Sequence, residues 1–230
     1  PRLAFAWAPG VKAPSDRAKT VVRGGFGVFY DRVSENLTLQ TDRFDGVSQQ
    51  QYVVSDATVL DLMSFSLAGV QGLPSLDQLA AYKQPQAIRT LSPEMKAPQT
   101  LQTSLSVERQ LVSGVTLSSV FVSTRNRRVL RSRNVNAPRA DGTYPLGTSQ
   151  RVYQYESTGR INMEQLILGV NARLRRGSML FIRYFATRAR GDSDGPGSFP
   201  SDPYDLAADW GRSAFDVRHR FNLGGSLTLP

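Results

Sequence analysis

The chain has 230 residues, 40% of them hydrophobic and 20% charged, and its formal net charge of +9 rests on 28 basic residues of which 24 are arginine. It has no cysteine and a single histidine, His219, which excludes disulfides, thiolate metal sites, cysteine nucleophiles and any zinc site built from two or three histidines. No apolar run is long enough for a transmembrane helix, and the positive charge reads either as solvated surface or as a match for nucleic acid or anionic lipid.

The chain opens on PRLAFAWAPG, without Met or a signal peptide, and is expected to be part of a longer protein. Residues 2–8 place Leu3, Phe5 and Trp7 on one face of a strand, with alanines opposite. Residues 19–31 set Val22, Gly24, Phe26, Val28 and Tyr30 against Val21, Arg23, Gly25, Gly27, Phe29 and Asp31. Residues 32–99 read as a long loop. Within it, PSLDQLAAYKQ offers Ser75 as N-cap and Gln78 at the capping-box position, so one short helix is expected in otherwise irregular chain.

Residues 100–111 alternate most clearly, with Leu101, Thr103, Leu105, Val107, Arg109 and Leu111 on one face and Gln102, Ser104, Ser106, Glu108 and Gln110 on the other. Residues 115–131 have a strand-like composition, but both faces are mixed and no register can be read. A second long loop over 132–160 precedes a strand at 161–175, where Leu166, Leu168, Val170, Ala172 and Leu174 oppose Gln165, Ile167, Gly169, Asn171 and Arg173. The strand at 178–190 sets Leu180, Ile182, Tyr184 and Ala186 against Phe181, Arg183, Phe185 and Thr187. A third long loop, 191–215, leads to a last strand at 216–229, with Val217, His219, Phe221, Leu223, Leu227 and Leu229 opposite Arg218, Arg220, Asn222, Ser226 and Thr228.

Period-two alternation marks these seven segments as strands, because successive side chains leave opposite sides of the pleat. The expected fold is all-β, an antiparallel up-and-down meander forming one partial barrel domain over residues 1–230. Its connections alternate between short (Pro9–Ala18, VSG at Val112–Gly114, RRGS around Gly177) and long. Short turns on one side and long loops on the other, with apolar residues outward and polar residues inward, describe an outer-membrane barrel. A spanning sheet must close so that no amide is left unpaired in hydrocarbon, and seven strands are too few for that. Further strands are therefore expected outside this chain. Arg23, Arg173, Arg183, Arg218 and Arg220 fall on the side expected to face the lumen, either lining it or pairing with carboxylates such as Asp31 and Glu108.

The stretches KTVVRGGFGVFYDR, RVLRSRNVNAP, YQYESTGR and DGPGSFPSDPYDLAADWGRSAFDVRHRF resemble the C-terminal barrel of Oar-like TonB-dependent outer-membrane receptors, a type abundant in acidobacteria. Gln40 to Gln99 is the least similar part. The resemblance implies a barrel of about 22 strands around a plug, energised from the inner membrane through the TonB complex and moving a ligand too large for porins. Members of the wider class take up iron chelates, cobalamin or saccharides, and no single substrate carries over. The plug and the TonB-engaging segment are not in this chain, which is not expected to transport by itself. The expected partners are outer-membrane lipid, the TonB complex and a large ligand, with no nucleic acid, and the expected location is the bacterial outer membrane.

Loop aromatics Phe199, Tyr204 and Trp210, with Asp202 and Asp205, are candidates for ligand capture. DSDGPG at Asp192–Gly197 begins like a calcium loop, with Asp192 and Asp194 as ligands. However, Pro196 stands at the fifth position and Pro203 at the twelfth, where an EF-hand needs Glu. A solvated acidic loop is the alternative, and no other cofactor is expected. RGGFG at Arg23–Gly27 reads as strand glycine rather than a phosphate cradle, since no helix follows it. The basic run Arg125–Arg133 lies where its strand leaves the outer leaflet, and reads as a contact for anionic outer-leaflet sugars or as a solvated strand end.

Three functions compete: a transport barrel, a soluble glycan-binding β-sandwich, and a nucleic-acid binder. The asymmetry of the loops argues against the second. The third needs aromatics interleaved with arginine, whereas here they lie mostly on opposite faces. No carboxylate pair or nucleophile–base arrangement is readable, and an enzyme is not expected.

Overall fold

The computed structural model describes residues 1–11, 17–61, 64–66, 69–71, 74–174 and 177–228. Arg175 and Arg176 of the expected RRGS turn, part of the Pro9–Ala18 connection, and Leu229 lie outside the described residues. The chain divides into two compact units, one of Pro1–Val33, Glu94–Ser132 and Glu156–Pro230, the other of Ser34–Pro93 and Arg133–Tyr155.

In chain order the strands are β1 (Arg2–Trp7), β2 (Thr20–Tyr30), β3 (Gln51–Tyr52), β4 (Ser64–Ser66), β5 (Gly69–Gln71), β6 (Lys83–Gln84) and β7 (Ile88–Leu91). They continue as β8 (Gln99–Val112), β9 (Val115–Asn134), β10 (Val152–Arg173), β11 (Met179–Gly191), β12 (Gly211–Arg212) and β13 (His219–Ser226). The helices are α1 (Glu35–Arg43), α2 (Ala57–Leu60) and α3 (Leu76–Leu79).

The main sheet runs β1-β2-β8-β9-β10-β11, with β12 and β13 both on β11 and β7 on β10. Its long members are the seven strands that alternation predicts, in sequence order and antiparallel wherever their register is given. The described sheet is open, as expected for a partial barrel. A tight turn joins β8 to β9. Val112 pairs with Val115 around Ser113–Gly114, where Gly114 has φ +83° and a Cβ would stand 2.7 Å from Arg173 O. Glycine alone meets both demands.

Two expectations need correction. Residues 132–160 are shorter as a loop than expected, because β9 runs on to Asn134 and β10 begins at Val152. Val152–Tyr155 gains a partner that alternation cannot reveal, the parallel β7 from elsewhere in the chain. The segment 32–99 is also far from irregular. α3 forms with the expected Ser75–Gln78 capping box, but α1 forms as well, with the Ser34 side chain accepting from the Asn36 amide, Glu35 in the first turn and Arg43 in the last. These ends suit the helix dipole, and Leu37 is buried beneath them.

The second unit is held by polar hubs. Asn136, 1% exposed, donates to Thr148 O and Gln150 O and accepts from the Leu146 amide, so one side chain organises the loop that follows β9. Arg89 reaches both Gln40 Oε1 and the Tyr155 hydroxyl, joining α1, β7 and the start of β10.

Candidate functional site

Cross-strand partners share a face, so the register defines the two surfaces of the main sheet. On one, Phe5, Gly24 and Leu105 align, followed by Leu3, Phe26 and Thr103, then Val28 with Leu101. Leu168, Tyr184 and Phe221 continue this surface, as do Val170, Ile182 and Leu223. Its side chains are exposed: Leu3 by 73%, Phe221 by 63%, Leu223 by 62%. Among the described residues only five hydrophobic ones are buried, against ten polar or charged. A water-soluble domain would hide this band.

The opposite face is polar and basic. Arg23 lies with Ser106 and Val120, and Arg183 with Gly169 and Asn222. A Cβ on Gly169 would meet Ser118 Oγ at 2.4 Å, which joins the two halves of this surface. Arg23, Arg173, Arg183, Arg218 and Arg220 therefore share one face. Their engagements differ. Arg23 pairs with Glu108 at 3.2 Å, both half-exposed, Arg218 pairs with Asp216 at 2.7 Å, and Arg220 lies 4.3 Å over the Phe185 ring. Asp31 accepts from the Arg32 amide.

The third loop is fastened to the strand ends by a buried polar network that alternation does not reveal. Arg131 of β9, 1% exposed, puts Nη2 2.7 Å from Asp192 Oδ1, and Asp192 also accepts from the Arg160 amide at 2.7 Å. Ser132 donates to Pro196 O and Ser193 to Leu130 O. Asp216, fully enclosed, accepts from the Ala189 amide and faces Arg212 and Arg218. Burial acts to raise the Asp216 carboxyl, but the Ala189 amide and the two guanidinium groups outweigh it and hold it below the ordinary carboxylate range. Asp209 is likewise lowered, by the Ser201 hydroxyl first and the Ser201 amide second, with the field of Arg131 adding to both.

This arrangement sets the roles of the loop candidates. Asp202 and Asp205 accept from the amides two residues on, at Tyr204 and Ala207, and so shape turns. Phe199, Tyr204 and Trp210 are exposed. Asp192 is committed to Arg131, and Asp194 accepts from Ser213. No group of three or more potential metal-ligating carboxylates or histidine occurs among the described residues.

A concavity of about 620 Å³ opens at the loop end of β8, β9 and β10. Arg125, Arg127, Arg128, Arg160, Gln99, Asn162 and Trp210 line it. Arg127 stands opposite Gln99, which stands opposite Tyr30, and Arg125 stands opposite Leu101. These positions belong to the apolar face. Arg160 and Trp210 join the arginine run only through the fold, and nothing in their spacing announces the pairing.

A sheet that is apolar on one side and basic on the other, with a tight turn between β8 and β9 and a long folded loop after β11, is a section of the wall of an outer-membrane β-barrel. The chain belongs to the outer membrane beta barrel domain family, whose model matches residues 1–230. It is accordingly an outer-membrane protein, and the soluble sandwich reading falls. In fold it is similar to the crystal structure of the outer membrane transporter YddB from Escherichia coli, with a TM-score of 0.55 and 10% identity over 88% of this chain. The chain spans about a fifth of that structure, 21% of its length. No curated protein matches the chain.

Proposed function

We propose that this chain is part of the barrel of a TonB-dependent receptor, one that captures a large ligand with its outer loops and passes it through a lumen lined by the arginine face. The observation that carries this reading is the two-faced sheet. Its apolar surface belongs in lipid, so the face bearing Arg23, Arg173, Arg183, Arg218 and Arg220 turns inward, where a plug or an anionic solute meets it. The folded third loop supports capture, since exposed Phe199 and Tyr204 are carried on a frame that the Arg131 and Asp216 contacts hold in place. Energy coupling rests on the motif resemblance described above. The role is one of binding and passage, with no chemical step.

The absence of cysteine from the chain supplies the test. Single cysteines at successive positions from Asn222 to Thr228, in the full-length parent reconstituted in liposomes, are compared for maleimide labelling and for quenching by lipid-borne quenchers. Labelling is expected to peak at Asn222, Gly224 and Ser226, and quenching at Leu223, Gly225 and Leu227. Uniform reactivity overturns the inward assignment of the arginines. Binding of the parent to the periplasmic domain of TonB tests the coupling separately, and failure to bind overturns that part alone.

A further inference from the structure

The basic concavity lined by Arg125, Arg127, Arg128 and Arg160 lies on the surface that faces lipid, the opposite side from the lumen arginines. We propose that it is a binding site for the phosphorylated headgroup of an outer-leaflet lipid. The inference rests on the barrel reading and concerns a different surface from the ligand path.

Register fixes the direction. Arg125 is cross-strand from Leu101, and Leu101 from Val28, both in the apolar band. Four residues earlier on β9, Phe121 is 44% exposed on the same face, about 13 Å further into that band at the strand rise of ~3.3 Å per residue. On β10, Arg160 and Asn162 share the parity of Leu166 and Leu168. The arginines therefore begin where the apolar surface ends, the level at which headgroups sit, and Trp210 and Tyr30 lie there as interfacial aromatics do.

The chemistry is that of a phosphate site. The lining includes four arginines, Gln99, Asn162, Ser157 and Thr158, and no carboxylate. Among the described residues, none of the four guanidinium groups is ion-paired. Arg presents its donors in a fork that fits phosphate oxygens, and a charge-assisted contact of this kind is worth more beside hydrocarbon than in water. The backbone adds a further sign. Arg128 has φ 58°, the only positive value among the described residues other than glycine. Strict alternation would send Arg127 and Arg128 to opposite faces, yet both line the concavity. A β-strand residue held in the left-handed region costs free energy, and such residues cluster at binding sites.

The test uses the full-length parent in nanodiscs, with lipid retained after purification read by native mass spectrometry. Vesicles carrying a bis-phosphorylated glycolipid are compared with vesicles carrying its dephosphorylated form. The triple variant Arg125→Ala, Arg127→Ala, Arg160→Ala is expected to lose retention of the phosphorylated lipid at least about tenfold. The control Arg183→Ala, Arg220→Ala, on the inward face, is expected to retain it. Folding of each variant is checked by resistance of the barrel to SDS, and the Arg→Lys triple variant, which keeps the charge but loses the fork, is expected to give intermediate retention. Equal retention in the triple variant and the parent, equal loss in the inward control, or equal retention of both lipids overturns the proposal. So does displacement of the lipid by millimolar inorganic phosphate, which identifies a site for free anions. Failure of the barrel reading itself appears instead in the cysteine scan of β13.

Discussion

Arg131 Nη2 stands 2.7 Å from Asp192 Oδ1, and the Arg131 side chain is 1% exposed. This pair couples the body of β9 to the first residue after β11, so the third loop starts from a fixed point. None of the three Arg131 guanidinium nitrogens has a hydrogen-bond partner among the described residues, so the ion pair with Asp192 is its principal engagement. Asp192→Ala is therefore expected to destabilise the loop end by about 3–5 kcal/mol, the cost of stranding a buried charge. Arg131→Met with Asp192→Leu, which removes both charges, is expected to cost much less. Limited proteolysis of the full-length parent within residues 195–210 reads both effects. Equal cleavage of the single and double variants would show that the pair does not fasten the loop.

Asp216 makes the same loop sensitive to acid. Its carboxyl is held below the ordinary range, so the folded state binds this proton less readily than the unfolded chain does. The resulting stability is complete above the usual aspartate value of about 3.9 and is lost as pH falls through the lower folded value. Hydrogen exchange at the Ala189 amide, which donates to Asp216 at 3.0 Å, is the local reporter. Protection is expected to persist at pH 5 and to fall in strongly acidic buffer. Asp216→Asn should weaken it at every pH and abolish the acid step.

Glycines of the sheet make room for rings from the neighbouring strand. Gly24 is directly opposite Phe5, and a Cβ there would stand 2.2 Å from the Phe5 ring. Gly24→Ala is expected to cost about 1–3 kcal/mol in barrel stability by forcing that ring off its rotamer. Adding Phe5→Ala should recover part of the loss, although Phe5→Ala alone removes packing. Denaturant titration of the parent and the three variants forms the cycle, and strictly additive costs would show that ring and glycine do not compete for this space.

How much of this was legible in the sequence follows from the range of the interactions involved. Leu101, Leu105 and Val107 against Ser104, Ser106 and Glu108 gave the strand and both faces, because period-two alternation is a property of one strand meeting two solvents. Ser75 and Gln78 gave α3, because a capping box spans four residues. The Ser34 cap of α1 was equally local and could have been read. What could not be read was whatever joins distant segments: β7 beside β10, Arg131 beside Asp192, and Arg160 and Trp210 beside Arg125. The arginines of Arg125–Arg133 looked like one basic run, yet Arg131 is buried in an ion pair while Arg125, Arg127 and Arg128 are exposed. The positive φ falls on Arg128, the last of the three exposed arginines, and nothing in the run of residues marks it.

The two faces of β13 allow a direct comparison within one strand. Leu223 pairs with Ile182 and Asn222 with Arg183, so neighbouring positions look in opposite directions. Leu223→Arg places a guanidinium on the apolar side, where hydrocarbon cannot solvate it, and is expected to destabilise the barrel by about 2–4 kcal/mol if the site lies near the bilayer midplane. Asn222→Arg adds the same charge to a wet surface that already carries Arg183 and Arg220, and is expected to cost well under half as much. Urea unfolding of the parent in liposomes measures both. Because the substitutions introduce the same side chain one residue apart, a difference between them reports the solvent on each face rather than the strand's tolerance of arginine. Equal costs would remove the distinction between a lipid side and a lumen side at this strand.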